Sequence, residues 1–281
     1  MTAQRPSPAA PSTQPFRLAE ALATARGVMR VLAFVGLLVV LVPLHIVWRV
    51  VGRNRPFLVV RLFHRAFTRL IGIDVRTRGE PSPSRPTLFV ANHLSYLDVP
   101  VLATVLETAF VAKSEIASWP LFGLLARLQN SVFIERRTVK ARVGYEAVRR
   151  ALGRGQNLVL FAEGTSTDGR SVLPLKSSLL AAVSDSTTDE HPLTVQPITL
   201  TCTHVAGLPV GRAWRHRYAW YGDMTFLPHL WKVFRGEGLG VEVVFHPPFT
   251  ASACPHRKDI AARCHRAIVG GLLVQRSPRG K

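Results

Sequence analysis

Beyond Asp74 the chain alternates short apolar runs with longer stretches of helical pattern, and this alternation restricts the fold more than any other feature of the sequence. Runs at 87–91, 109–112, 131–135, 157–162, 195–200 and 241–245 have the length and bounding turn residues of strands. Between them, "SWPLFGLLARLQ" (118–129) and "TVKARVGYEAVRRALGRG" (138–155) read as helices, the second closed by Gly153 or Gly155. Strands separated by helices predict an α/β domain over 74–281, a mixed sheet flanked by helices. No internal repeat interrupts it, and 281 residues suffice to bury a sizeable core.

The first 73 residues have a different character. Residues 1–17, rich in Pro, Ser, Ala and Thr, carry no apolar period and predict a disordered tail. Residues 18–73 predict membrane-anchoring helices. In "VMRVLAFVGLLVVLVPLHIVWRVV" (28–51) the uninterrupted apolar part, Val31 to Leu44, is shorter than the about 20 residues of a spanning helix. Arg30 and Arg49 snorkelling to opposite interfaces, with Trp48 as an anchor, would let the longer stretch cross. A cleaved signal peptide fits poorly, because no small-residue cleavage site follows the apolar run. The next segment, "PFLVVRLFHRAFTRLIG", sets Arg61, Arg65 and Arg69 four apart with Phe63, Phe67, Leu70 and Ile71 on other faces, the pattern of a basic amphipathic helix. Ten Arg and one acidic residue, Glu20, in residues 1–73 suit an anionic cytoplasmic leaflet.

The formal net charge is +19, from 36 Lys plus Arg against 17 Asp plus Glu, which selects anionic partners. Nucleic acid and anionic lipid both meet that condition, so charge alone leaves a binding protein without chemistry open. The 47% hydrophobic content excludes global disorder. Cys202, Cys254 and Cys264 lack C-x-x-C spacing, and with His256 and His265 only loosely suggest metal ligands; free thiols in a reducing compartment fit better.

Chemistry is suggested where "TLFVA" runs into "NHLSYLD". If 87–91 is a strand, Asn92 and His93 leave its carboxyl end, where crevices form in open α/β sheets. Ser95 is then a natural N-cap with Asp98 three residues on, a capping-box arrangement. An Asp against one imidazole nitrogen would fix the tautomer and free the other nitrogen to take a proton from a hydroxyl. The alternative gives Asp98 capping work only and leaves His93 on the surface; these residues alone do not separate the two. A second apolar run enters "FAEGTSTDG", where Gly164 allows close backbone approach and hydroxyls with N–H groups suit an anion. In "SVFIERR", Arg136 and Arg137 end a third run and are suited to phosphate or carboxylate.

Taken in order, these segments resemble the 1-acyl-glycerol-3-phosphate acyltransferase family, marked by N-H-x4-D, here Asn92, His93 and Asp98. "VFIERR" is similar to its second block, "FAEGTS" to its F-P-E-G-T-R-S block, "VQPITL" to its fourth block around Pro197, and "FVAKSEI" to its lysine-containing segment. The resemblance covers about residues 70 to 250 and implies that His93 is the base and Asp98 its partner. It implies acceptor-binding roles for Lys113, Arg136, Glu163, Gly164 and Thr165, and no metal or other cofactor. The implied partners are a lysolipid acceptor, acyl-CoA or acyl carrier protein as donor, and an anionic membrane at the cytoplasmic face of a bacterial inner membrane, with no nucleic acid.

Ala162 stands where the family has proline, and Ser166 where many members have arginine. The lost guanidinium weakens the case for a phosphate-bearing acceptor. "AWYGDMTFLPHLW" (219–231) resembles a stretch found in bacterial members that include lyso-ornithine lipid acyltransferases, although an aromatic core segment accounts for Trp220 and Trp231 as well. The expected reaction is acylation of 1-acylglycerol-3-phosphate to phosphatidic acid, with lyso-ornithine lipid as the alternative acceptor. A covalent serine route lacks the G-x-S-x-G elbow.

Overall fold

The computed structural model describes residues 14–51, 57–135, 138–184, 193–254 and 256–276; Arg136, Arg137 and residues 1–13 of the expected tail lie outside the described residues. The chain is already helical at Gln14, so α1 (Gln14–Val51) begins inside the segment read as a tail.

Short apolar runs of this kind lie fully inside a domain when helices cover both faces of their sheet. Among the described residues the sheet has nine strands. They are β1 (Ile73–Arg78), β2 (Thr87–Ala91), β3 (Ala109–Lys113), β4 (Val132–Ile134), β5 (Leu158–Phe161), β6 (Thr194–Val205), β7 (Leu208–Pro209), β8 (Leu239–Phe245) and β9 (Phe249–Thr250). The spatial order is β1, β8, β6, β2, β5, β3, β4, with β7 and β9 paired to β6. The β6–β8 pair is antiparallel and the other long pairings are parallel, so the sheet is mixed. All six expected strands are present, within a residue or two except β6, which continues to Val205.

Alternate residues of each strand enter opposite cores. Leu88 and Val90 of β2 join a core with α5 (Thr138–Gly153) and α8 (Arg257–Arg276), where they meet Leu152, Ile260 and Ile268. Phe89 and Ala91 join the other core with α2 (Leu58–Leu70), α3 (Asp98–Val105) and α7 (Phe226–Arg235), through Phe67, Val101, Leu102 and Phe234. The short helices α4 (Pro120–Leu128) and α6 (Ala181–Ser184) complete the set among the described residues. Pro197 is tolerated inside β6 because it falls between the β9 pairing, which ends at Val195, and the β8 pairing, which begins at Ile198.

The arginines expected to face a membrane are partly used inside the protein. Arg61 and Arg65 each donate from Nε to the Thr104 carbonyl, at 3.1 and 3.4 Å, in the last turn of α3. Arg30 does not snorkel to an interface: its Nη1 donates to the carbonyls of Phe234 (3.0 Å) and Gly236 (2.7 Å). Arg26 donates to the Arg235 carbonyl through Nε (3.0 Å) and Nη2 (2.6 Å). Guanidinium groups thus satisfy the last carbonyls of two helices and complement their dipoles. Phe34 of α1 packs against Phe67 and Phe234, with ring centroids 5.3 and 5.9 Å apart, so α1 is docked on α2 and α7.

Beyond Phe34, α1 buries Leu41 and His45 on one side and leaves its other face bare. It contains the helix, Arg17–Val51, that is long and apolar enough among the described residues to cross a membrane, and only 11% of its most apolar window is buried. Leu32, Val35, Val39, Val40, Ile46 and Val47 are exposed along it. A soluble core helix would bury such residues; an exposed apolar face of this length is what a membrane-associated helix presents.

Arg30→Met should lower stability by about 1.5–3 kcal/mol, the loss expected when helix-terminal carbonyls forfeit a charged donor. Denaturant unfolding of the full chain in detergent measures it; an unchanged midpoint would mean that α1 docking does not depend on this cap.

Candidate active site

Parallel pairing of β2 with β5 sets Ala91 opposite Phe161, so the loops leaving both strands emerge side by side. Asn92 turns away from the opening: its Nδ2 donates to the Leu200 carbonyl (2.9 Å) and its Oδ1 accepts from Leu200 N (2.7 Å). A side-chain amide here extends the sheet pairing to β6 by one residue, which explains why asparagine suits this position.

His93 follows at the crevice. Its Nδ1 lies 2.8 Å from Asp98 Oδ2, and its ring stacks on Phe161 with centroids 4.1 Å apart and 18° between planes. The ring is partly open, with 22% of the side chain exposed, and Nε2 has no partner among the described residues. Asp98 is fully buried. Its Oδ2 also accepts from the N–H groups of Leu94 (2.7 Å) and Ser95 (3.0 Å), while Oδ1 accepts from the Tyr218 hydroxyl (2.7 Å). Burial and the neighbouring carboxylate hold the Tyr218 phenol well above its usual value, so it remains a donor.

The capping expectation is corrected in one respect. The carboxylate reaches back to Ser95 N as a capping box requires, but the Ser95 hydroxyl accepts from Leu97 N (3.3 Å) and the helix starts at Asp98. Asp98 thus belongs to the turn and the helix at once, and its side chain closes the turn onto His93.

The β5 loop is fastened to the same histidine. Glu163, 1% exposed, accepts from His93 N through Oε1 (2.8 Å) and from Leu173 N through Oε2 (2.8 Å). Burial raises its pKa against the lowering effect of these two bonds. Its carboxylate ties the two loops together and is not presented to an acceptor, unlike the expected contact role. Thr167 N donates to the His93 carbonyl (2.9 Å), closing the link from the other side.

Gly164 adopts φ +76° and its N–H donates to the Phe161 carbonyl (3.1 Å), so that amide is not open to a ligand. Thr165 is exposed and Ser166 half-buried at the crevice, and their N–H groups have no partner among the described residues. Lys113 ends β3, exposed, at the same carboxyl edge of the sheet as His93 and Glu163. Arg136 lies outside the described residues.

Tyr218 escaped sequence reasoning, since no local signal connects it to Asp98 across 120 residues. The segment after it covers the motif loop. Trp220 N donates to the Leu94 carbonyl (2.9 Å), and Tyr96 OH bonds His229 Nδ1 (2.9 Å), with burial lowering the His229 pKa to about 4. Both Trp220 and Phe226 meet the Tyr96 ring edge to face, at 5.9 and 4.9 Å. The aromatic run 218–231 is therefore a support for the histidine loop.

Beside the dyad, helices α1, α2, α4 and α7 enclose an apolar cavity of about 230 Å³ lined by Phe34, Phe63, Phe67, Phe110, Phe122 and Leu230, among others. Phe110 also stacks on Phe161 (6.3 Å), the ring beneath His93, so one aromatic ring separates a wall of the cavity from the histidine. The three cysteines are free; burial pushes the Cys202 and Cys264 thiols up to about 12.

An imidazole oriented by a buried carboxylate, near an apolar cavity, suits transfer to a lipid hydroxyl. A family model described as Acyltransferase matches residues 74–201. The lyso-ornithine lipid O-acyltransferase of Brucella abortus (strain 2308) is 36% identical over 263 residues, covering 91% of this chain and 98% of that protein. The chain belongs to the lysophospholipid acyltransferase family. The lyso-ornithine lipid O-acyltransferase of Rhizobium meliloti (strain 1021) is 41% identical, covering 72% of this chain and 70% of that protein. A 1-acyl-sn-glycerol-3-phosphate acyltransferase of Neisseria gonorrhoeae is 37% identical over 48% of this chain and 52% of that protein. The crystal structure of the 1-acyl-sn-glycerophosphate acyltransferase PlsC from Thermotoga maritima shares the fold, with a TM-score of 0.68 at 19% identity, covering 94% of this chain and 99% of that one. As a lysophospholipid acyltransferase the chain is an enzyme, and the binding-only reading of its charge is set aside.

Within this acyltransferase, Tyr218→Phe leaves Asp98 Oδ1 without its donor. Stability should fall by about 1.5–3 kcal/mol. The carboxylate is then freer to turn from His93 Nδ1, so kcat should fall with the acceptor KM nearly unchanged. An unchanged kcat in a folded variant would show that Tyr218 does not act through Asp98.

Proposed function

We propose that this acyltransferase moves a fatty acyl group from acyl-CoA or acyl carrier protein to the free hydroxyl of lyso-ornithine lipid. The observation that carries the reading is the extent of likeness: 98% of the Brucella protein is covered, against 52% of the Neisseria one. Ser166, in place of the arginine that suits a phosphate, agrees with it. Acylation of 1-acylglycerol-3-phosphate is the second reading, favoured by the 37% identity to the Neisseria enzyme and by the cation Lys113 at the crevice edge.

In the proposed mechanism His93 Nδ1–H donates to Asp98, leaving the Nε2 lone pair to take the proton of the lysolipid hydroxyl. The oxygen attacks the thioester carbonyl, and the tetrahedral oxyanion is received by the N–H groups of Thr165 and Ser166. Collapse breaks the carbon–sulfur bond, and the imidazolium returns its proton to the leaving thiolate. The apolar cavity beside Phe110 receives an acyl chain. The bare face of α1 lies in the bilayer, at the cytoplasmic side of a bacterial inner membrane where acyl thioesters are available.

Purified protein incubated with an acyl donor and a panel of lysolipids, with products identified by mass spectrometry, tests the reading. Lyso-ornithine lipid should be acylated in preference to lysophosphatidate, and His93→Ala should reduce turnover about 10²- to 10⁴-fold while preserving the fold. The reverse acceptor preference would establish the second reading, and near-normal turnover of a folded His93→Ala would remove the base.

A further inference from the structure

The loop that runs from Glu163 to Lys176 returns to its own start. Lys176 N donates to the Ala162 carbonyl (2.9 Å), which fixes the residue against the first turn of the loop. Its side chain then lies across Gly164: a Cβ built on that glycine would stand 3.1 Å from both Cδ and Nζ of Lys176. Glycine at 164 permits φ +76°, and the lysine side chain passes over its backbone.

Among the described residues, the other charges of this loop and the dyad are already engaged. Arg170 pairs with Asp168 at 3.1 Å, and Arg215 Nη1 donates to the Gly169 carbonyl at 3.2 Å. Asp98 and Glu163 are buried and fully occupied by donors. Lys176 is exposed and makes no ion pair among the described residues. Its ammonium thus lies over Gly164, the residue that precedes Thr165 and Ser166 in the loop, where position 166 offers a hydroxyl in place of a guanidinium.

We propose that Lys176 receives the anionic head group of the acceptor lipid, taking the part left vacant by serine at 166. An ammonium is a compact charge on a flexible stem, suited to one carboxylate and without the fork that holds a phosphate from two sides. The assignment rests on the proposed lyso-ornithine lipid acceptor for the identity of the anion, a carboxylate. The position of the charge does not depend on it.

Steady-state kinetics of the full-length wild type, Lys176→Met and Lys176→Arg, with lyso-ornithine lipid and lysophosphatidate in parallel and the acyl donor saturating, test the proposal. Lys176→Met should raise the acceptor KM about 10- to 100-fold, the loss of one charge-assisted hydrogen bond, with kcat nearly unchanged. Lys176→Arg should recover most of it, and the donor KM should not move. An acceptor KM unaffected by Lys176→Met, or a lowered kcat at constant KM, would overturn the proposal, as would failure of Lys176→Arg to exceed Lys176→Met. Wild-type preference for lysophosphatidate would refute the carboxylate acceptor alone, because the KM of Lys176→Met for lysophosphatidate still reports on the charge.

Discussion

A carboxylate withdrawn from water must find its hydrogen bonds inside the protein, and the way Asp98 does so organises the whole site. It collects the His93 ring, the N–H groups of Leu94 and Ser95, and the Tyr218 hydroxyl. The same group closes the turn, starts α3 and fixes which imidazole nitrogen faces outward. Because three of these donors come from residues 93–95, the five-residue spacing between histidine and aspartate follows from the length of one tight turn. The fourth comes from far along the chain and joins the aromatic segment 218–231 to the loop.

Glu163 repeats this logic from the neighbouring strand. Asp98 holds the imidazole, Glu163 holds the His93 main-chain N–H, and Thr167 holds its carbonyl. Phe161 supports the ring from beneath. With backbone and side chain both constrained, little freedom is left to the imidazole. Parallel β2 and β5 make this possible, since only neighbouring strands that run the same way deliver two loops to one edge.

Much of this was legible in the sequence because it is local. The six apolar runs became strands, and His93 and Asp98 meet as their spacing allows. What sequence reading missed depends on distant contacts. In β1 the run I-D-V-R-T-R is mostly exposed and owes its strand form to pairing with β8. Helix α8 contains Gly270 and Gly271, poor helix formers, yet a Cβ at 271 would stand 2.5 Å from Thr199 Oγ1, so close packing on β6 requires glycine there. Arg30 reads as a membrane-interface residue from its apolar neighbours and instead caps α7. Glu163 reads as a binding residue from its motif, and burial between two amides gives it a bracing role.

The contact with Asp98 favours the His93 tautomer with hydrogen on Nδ1 and a lone pair on Nε2. Nitrogen-15 and proton NMR of histidine-labelled enzyme in detergent, at a pH where the ring is neutral, reads this directly. The expected spectrum shows a protonated Nδ1 with its proton shifted downfield by the 2.8 Å bond to Asp98, an unprotonated Nε2, and loss of that proton signal in Asp98→Ala. A neutral His93 protonated on Nε2 would contradict it.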